Sequence, residues 1–219
     1  MSAMSSRSDP YRGFNLQKYH NMFESYWGCP SVMMEKSLNF MIPDPPRYIT
    51  RSVRAQIESM DDHLNKIKYQ KCKPKDAYFY NRDLSGVYST SMQTYAPGEF
   101  RMVAAGYHVN ESTWKKMLGR AKKERKYALD YKGKDKNGKT MKIVVIPDLR
   151  NGTKNKQLWA CCNDGYNIKT RRNRSNCVFA LIDTNGMRIP WVVNTKSIKF
   201  DDQITVDYGK DYWKCWGNR

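Results

Sequence analysis

The sequence has no apolar run approaching the ~20 residues that a membrane-spanning helix needs, so a helical membrane anchor is excluded and the chain reads as soluble. Acidic groups are scarce: 21 Asp and Glu stand against 39 Lys and Arg, a net charge of +18. Cysteine is scarce too. Six in 219 residues, two of them adjacent (Cys161, Cys162), make no disulfide framework and read as reduced thiols of an intracellular protein. They have no CxxC spacing, so no metal site is expected. P-loop, dinucleotide fingerprint and internal repeat are all missing. Met1 to Tyr11 is polar and has no apolar core, which reads as no secretory signal and points to the nucleus or cytoplasm. What is present is aromatic: 15 Tyr, 6 Trp and 7 Phe, with 40% hydrophobic residues, argue for a packed core and against global disorder.

The positive charge is concentrated. Lys115 to Lys142 holds 12 basic and 3 acidic residues, and Arg150 to Arg174 holds 7 basic and 1 acidic. Two readings stay open: solvated faces that keep the protein soluble, or a basic rim that meets a polyanion or a partner carried on one. The rim candidates are Lys115, Lys116, Lys122, Lys123, Arg125, Lys126, Arg171 and Arg172.

Periodicity divides the chain near residue 75. Over 15–27, Leu16, Tyr19, Met22, Phe23, Tyr26 and Trp27 fall on one helical face, ended by Gly28-Cys29-Pro30. A second apolar segment runs from Val32 to Ile42, before the extended Pro43-Asp44-Pro45-Pro46 link. From Thr50, the steps Val53, Ile57, Met60, Leu64, Ile67 trace the seam of an amphipathic helix. After Lys75, short β-type runs alternate with turn signals: Gly86–Thr90, Glu99–Val109, Met141–Ile146, Cys177–Ile182, Pro190–Thr195 and Ile204–Tyr208. Asn110-Glu111-Ser112 opens a basic helix, and Lys132 to Lys139 reads as a hairpin tip. The expectation is an α+β protein, with a mainly helical extension over 1–75 and a mainly β module over 76–219.

Within 82–216, several segments in order resemble the SET domain of protein lysine methyltransferases. Leu84-Ser85-Gly86-Val87-Tyr88 resembles the family's opening Gly-x-Gly-Val-Phe, and Ala96-Pro97-Gly98-Glu99-Phe100 its Gly-Glu-Phe turn. Tyr127-Ala128-Leu129-Asp130 resembles its Tyr-x-Leu-Asp strand. Cys162-Asn163-Asp164-Gly165 stands where the family has Asn-His-Ser, and Asn176-Cys177 where it has Pro-Asn-Cys. The longest piece is Ile198 to Gly209, ending Ile204-Thr205-Val206-Asp207-Tyr208-Gly209, with Tyr212-Trp213 after it. The resemblance implies a SET-like fold of short β-sheets with a C-terminal pseudoknot. It also implies methyl transfer from S-adenosylmethionine to a lysine of a protein substrate.

Such chemistry needs a neutral amine. A lysine has a pKa near ~10.4, and a narrow, partly apolar channel helps it lose its proton. The amine must then meet the methyl carbon in line, so alignment matters more than a strong base. By the resemblance, Tyr208 stands beside the transferred methyl group. Ser85, Gly86, Val87, Asn163 and Trp213 would hold the cofactor, and Tyr127, Tyr166 and Val206 would line the lysine channel. Each has a plainer alternative: Tyr208 as a core tyrosine, Asn163 as a turn residue, Trp213 and Trp216 as packing over the end of the core.

The chain also departs from the pattern. Leu84 replaces the first glycine, Asp164 the histidine, and Ala160-Cys161 the usual Arg-Phe. Only Cys215 follows the domain, where many members carry a cysteine cluster. A second reading is therefore kept: a SET-like protein without turnover that binds nucleic acid or scaffolds an assembly such as a virion. For the enzyme, the expected partners are a histone or another basic or nucleic-acid-associated protein, with nucleic acid or a nucleosome meeting the rim.

Overall fold

The computed structural model describes residues 23–25, 32–35, 66–73, 84–118, 127–135, 137–147, 154–167, 172–184 and 187–209. In chain order the strands are β1 (Phe23–Ser25), β2 (Val32–Glu35), β3 (Ile67–Lys71), β4 (Ser85–Ser89), β5 (Arg101–Val103), β6 (Gly106–Asn110), β7 (Leu129–Lys134) and β8 (Thr140–Ile146). They continue with β9 (Asn163–Asp164), β10 (Tyr166–Asn167), β11 (Arg172–Asn173), β12 (Cys177–Thr184), β13 (Met187–Asn194) and β14 (Gln203–Val206). Helix α1 spans Glu111–Leu118, and a 3-10 helix spans Lys154–Cys161. Among the described residues the fold is therefore β-rich, with few helices.

The chain divides into two compact units. The first gathers Met1–Ile57, Ala104–Ala160 and Ile182–Ile189, and the second Glu58–Val103, Cys161–Leu181 and Pro190–Arg219.

The first unit carries a five-stranded sheet in the order β1-β2-β6-β8-β7. Its spine is the β7–β8 hairpin, paired from Leu129↔Val145 to Lys134↔Thr140. The turn is made by Asp135, whose carboxylate accepts the N–H groups of Asn137 and Lys139, both at 2.9 Å. This is an Asx turn at the tip expected from the Gly/Asp/Asn/Lys stretch. Asn110 caps α1: its side-chain oxygen accepts the Thr113 N–H at 2.8 Å. Tyr107, Val109, Ile143, Val144, Val145, Ile146, Leu158 and Trp159 form the core of this unit.

The second unit carries the larger sheet, in the order β3-β4-β14-β12-β13-β5, with β9 paired to β14 off that path. Before β5, the Ala96–Glu99 turn is held by Asn194. Its amide donates to Ala96 O at 2.8 Å, and its oxygen accepts the Phe100 N–H at 3.0 Å. Before β14, the Lys199–Asp202 turn places Asp201 at φ 66. Asp is among the few residues other than glycine that tolerate the left-handed region.

Two helical expectations meet strands instead. Phe23–Ser25, inside the helix expected over 15–27, is strand β1, because its backbone pairs with β2 (Phe23↔Glu35) and β2 pairs in parallel with β6. Ile67, the last apolar step of the helix expected from Thr50, opens β3. Over Ile67–Lys71 five residues pair with β4 and burial tends to alternate, a period of two rather than 3.6. Backbone pairing with distant strands overrides the local spacing in both places. The rest of those two segments lies outside the described residues.

Candidate functional site

The second unit brings the motif segments together around β14. Gln203↔Tyr88 and Ile204↔Val87 pair it antiparallel with β4. Thr205↔Asn163 and Val206↔Asp164 pair it in parallel with β9, and Cys177↔Val206 pairs it in parallel with β12. Three segments from separate parts of the sequence thus converge on four residues.

Side-chain amides complete what the backbone leaves open. Asn176 donates to Gln203 O at 2.8 Å and accepts the Thr205 N–H at 2.9 Å, so its amide takes the place of a peptide group beside β14. Asn163 Nδ2 donates to Ser85 O at 3.1 Å and to Cys72 Sγ at 3.4 Å. Gln203 Nε2 reaches the same sulfur at 3.2 Å. Gly86 lies beneath both amides: a Cβ there would stand 2.2 Å from Gln203 Nε2 and 2.8 Å from Asn163 Nδ2, so a side chain would displace both amides. Gly165 is equally confined, since a Cβ would stand 2.3 Å from the Ser175 nitrogen.

Tyr208 adjoins this cluster. Its hydroxyl donates to Cys162 O at 2.5 Å, and its backbone N–H donates to Asp164 Oδ2 at 3.0 Å. The tyrosine is half-buried, as are Asn163 and Ser85. Burial pushes the Cys162 thiol up, with neighbouring Cys177 and Cys161 adding to the effect, and burial pushes Cys177 up to about 12. Both thiols stay protonated at neutral pH and are unsuited to act as nucleophiles.

The other expected site residues fall as follows. Val87 is fully buried and Gly86 is buried, so of the trio only Ser85 is partly exposed. Val206 is fully buried in the core of β14. Tyr166 is half-buried in β10, close in sequence to Asp164, whose Oδ1 accepts its N–H at 2.7 Å. Tyr127 is half-buried and belongs to the first unit. Of the rim, Lys115 and Lys116 are exposed on α1, where Lys115 pairs with Glu111 at 3.3 Å, and Arg172 is exposed on β11. Lys122, Lys123, Arg125, Lys126, Arg171 and Trp213 lie outside the described residues. Among the described residues no helix is long and apolar enough to cross a membrane, and no group of three or more His, Cys, Asp or Glu could hold a metal ion.

Sequence reasoning missed Cys72 and Gln203, which no local motif marks as neighbours of Asn163, and it missed the bracketing role of Asn176. It also missed His108 in the first unit. This fully buried histidine has Nε2 3.1 Å from Ala104 O and Nδ1 3.2 Å from the Tyr131 hydroxyl. With Nε2 as donor and the Tyr131 hydroxyl donating to Nδ1, a neutral ring satisfies both contacts. Burial lowers its pKa to about 4, and the Ala104 hydrogen bond opposes that only in part. No protein-family model matches the chain, and no curated protein matches it.

Proposed function

We propose that the chain is an S-adenosylmethionine-dependent protein-lysine N-methyltransferase with a SET-like fold, acting on a histone or another basic or nucleic-acid-associated protein. One observation carries the reading. The Tyr208 hydroxyl bonds to Cys162 O, one residue from Asn163, whose amide in turn bonds to Ser85 O. Three of the motif segments thereby meet within hydrogen-bond reach, across 46 and 78 residues of sequence.

The donor set suits a cationic methyl donor. Asn163 Oδ1 takes no hydrogen bond among the described residues, Ser85 O has a second lone pair, and Gln203 Oε1 is buried without a partner. Acceptor oxygens favour an ammonium or a sulfonium over an anion. When bound, S-adenosylmethionine supplies the electrophilic methyl group. Ser85 and Asn163 would hold it, and the Tyr208 ring and hydroxyl would orient the incoming lysine amine. The bond to Cys162 O uses the phenol proton and fixes the direction of the hydroxyl.

Isothermal calorimetry with S-adenosylmethionine and a methyl-transfer assay on core histones test the reading. Wild type is expected to bind the donor and transfer, and Tyr208→Phe to lose transfer while keeping its melting temperature. Equal activity of the two proteins would rule out the role given to Tyr208.

A second reading has its own support: Ser85 O, Asn163 Nδ2, Cys72 Sγ and Gln203 Nε2 already satisfy one another. A SET-like protein without turnover, serving as a basic scaffold or nucleic-acid binder, accounts for that closure. It predicts no donor binding and a salt-dependent affinity for DNA.

A further inference from the structure

We infer that Asp164 is the positioning residue for Tyr208. The contact stands on its own, while its catalytic consequence rests on the methyltransferase reading above. The Asp164 side chain is buried, with 2% exposure. Its two oxygens divide their work, Oδ1 accepting the Tyr166 N–H at 2.7 Å and Oδ2 the Tyr208 N–H at 3.0 Å. The Tyr208 hydroxyl is held two residues earlier, at Cys162 O. Tyr208 is thus pinned at both ends by a three-residue segment, Cys162 to Asp164, and that segment is in register with the strand leading into Tyr208 (Val206↔Asp164).

A carboxylate suits this task. It offers two acceptor oxygens and no donor, and bonds from N–H groups to a charged oxygen are stronger than neutral ones. Asparagine would turn an NH2 group toward one of the two N–H donors. Histidine, which the SET pattern has here, offers one acceptor nitrogen at most. The departure at residue 164 therefore reads as a different way of fixing the tyrosine rather than as a loss of function.

The test uses the full chain as wild type, Asp164→Asn, Asp164→Glu and Tyr208→Phe. Amide hydrogen exchange read by NMR follows the Tyr208 and Tyr166 N–H groups, with Val109 and Val144 of the first unit as internal references. Kinetics on core histones separate kcat from KM, and calorimetry gives the S-adenosylmethionine affinity. Asp164→Asn is expected to speed exchange at Tyr208 at least tenfold, leave the references unchanged and lower kcat about 100-fold with little change in KM, the scale of a small misplacement of reacting groups. Asp164→Glu, which keeps the charge, is expected to recover part of kcat. Unchanged exchange at Tyr208 in Asp164→Asn overturns the proposal. If wild type neither binds nor turns over S-adenosylmethionine, the methyltransferase reading fails, and the exchange arm still decides whether Asp164 holds Tyr208. Should Asp164→Asn not fold, Asp164→Ser, which also lacks the carboxylate, takes its place in both arms with the same expected and overturning results.

Discussion

The two units solve the same problem, satisfying buried polar groups, in opposite ways. The first builds its sheet largely from backbone pairing, above all the six residue pairs of the β7–β8 hairpin. Its buried polar side chains include a neutral couple, His108 and Tyr131, that closes on itself and on Ala104 O. The second leaves backbone groups around β14 for Asn and Asp side chains to complete. Backbone pairing tolerates many side chains, whereas a side-chain bracket depends on one residue type. The candidate site thus lies in the part of the molecule where single polar residues matter most.

Asn176→Ala should break that contrast most sharply. It removes three bonds to β14, the longest of them from the Thr205 hydroxyl at 3.3 Å, and leaves Gln203 O and the Thr205 N–H without their Asn176 partner, a cost of about 3 kcal/mol. Hydrogen exchange should quicken at Ile204 and Val87 while Val109 and Val144 keep their protection. Equal loss in both units would show that the bracket is not local to the second.

Acid should act on the first unit through His108. Burial holds its folded pKa at about 4, below the ordinary histidine value of 6.5, so the unfolded chain binds the extra proton first as pH falls. Stability from the neutral ring is fully present above pH 6.5 and is lost on the way down to about pH 4, by roughly 3 kcal/mol in total. Urea melts of wild type and His108→Phe at pH 7 and pH 4.5 isolate the effect: the variant should lose less stability on acidification. Identical losses would mean that the buried ring does not set the slope.

Cys72→Ala should have the smallest effect. It deletes a weak sulfur acceptor shared by the Asn163 and Gln203 amides, worth about 1 kcal/mol. A drop in melting temperature of a few degrees is expected, and a far larger one would mean that the sulfur carries more of the site than its geometry implies.

What was legible from the sequence was local. The hairpin tip expected over Lys132–Lys139 turns at Asp135, its first three residues extending β7, and the helix expected from Asn110-Glu111-Ser112 begins at Glu111; both depend on neighbouring residues. The strands expected at Met141–Ile146, Cys177–Ile182 and Pro190–Thr195 lie within β8, β12 and, except for Thr195, β13. The pattern over Glu99–Val109 reads as one strand, but the chain divides there into β5 and β6 at Ala104-Ala105, two buried residues whose carbonyls accept bonds from His108 and from Trp159. Cys72 meets Gln203 across 131 residues, a pairing no window of sequence carries. The spacing around Phe23–Ser25 suits a helix, and only pairing with β2 makes it a strand.

The parallel pairing of β14 with β9 and β12 bears on how the chain comes together. During synthesis β4, β9 and β12 leave the ribosome before Gln203–Val206, and each waits with backbone groups uncovered until that strand arrives. Long-range closure of this kind is slow, and open strand margins invite association with other chains. A nascent chain halted before residue 203 would lack the strand that joins β4, β9 and β12, and it would be the form most in need of a chaperone.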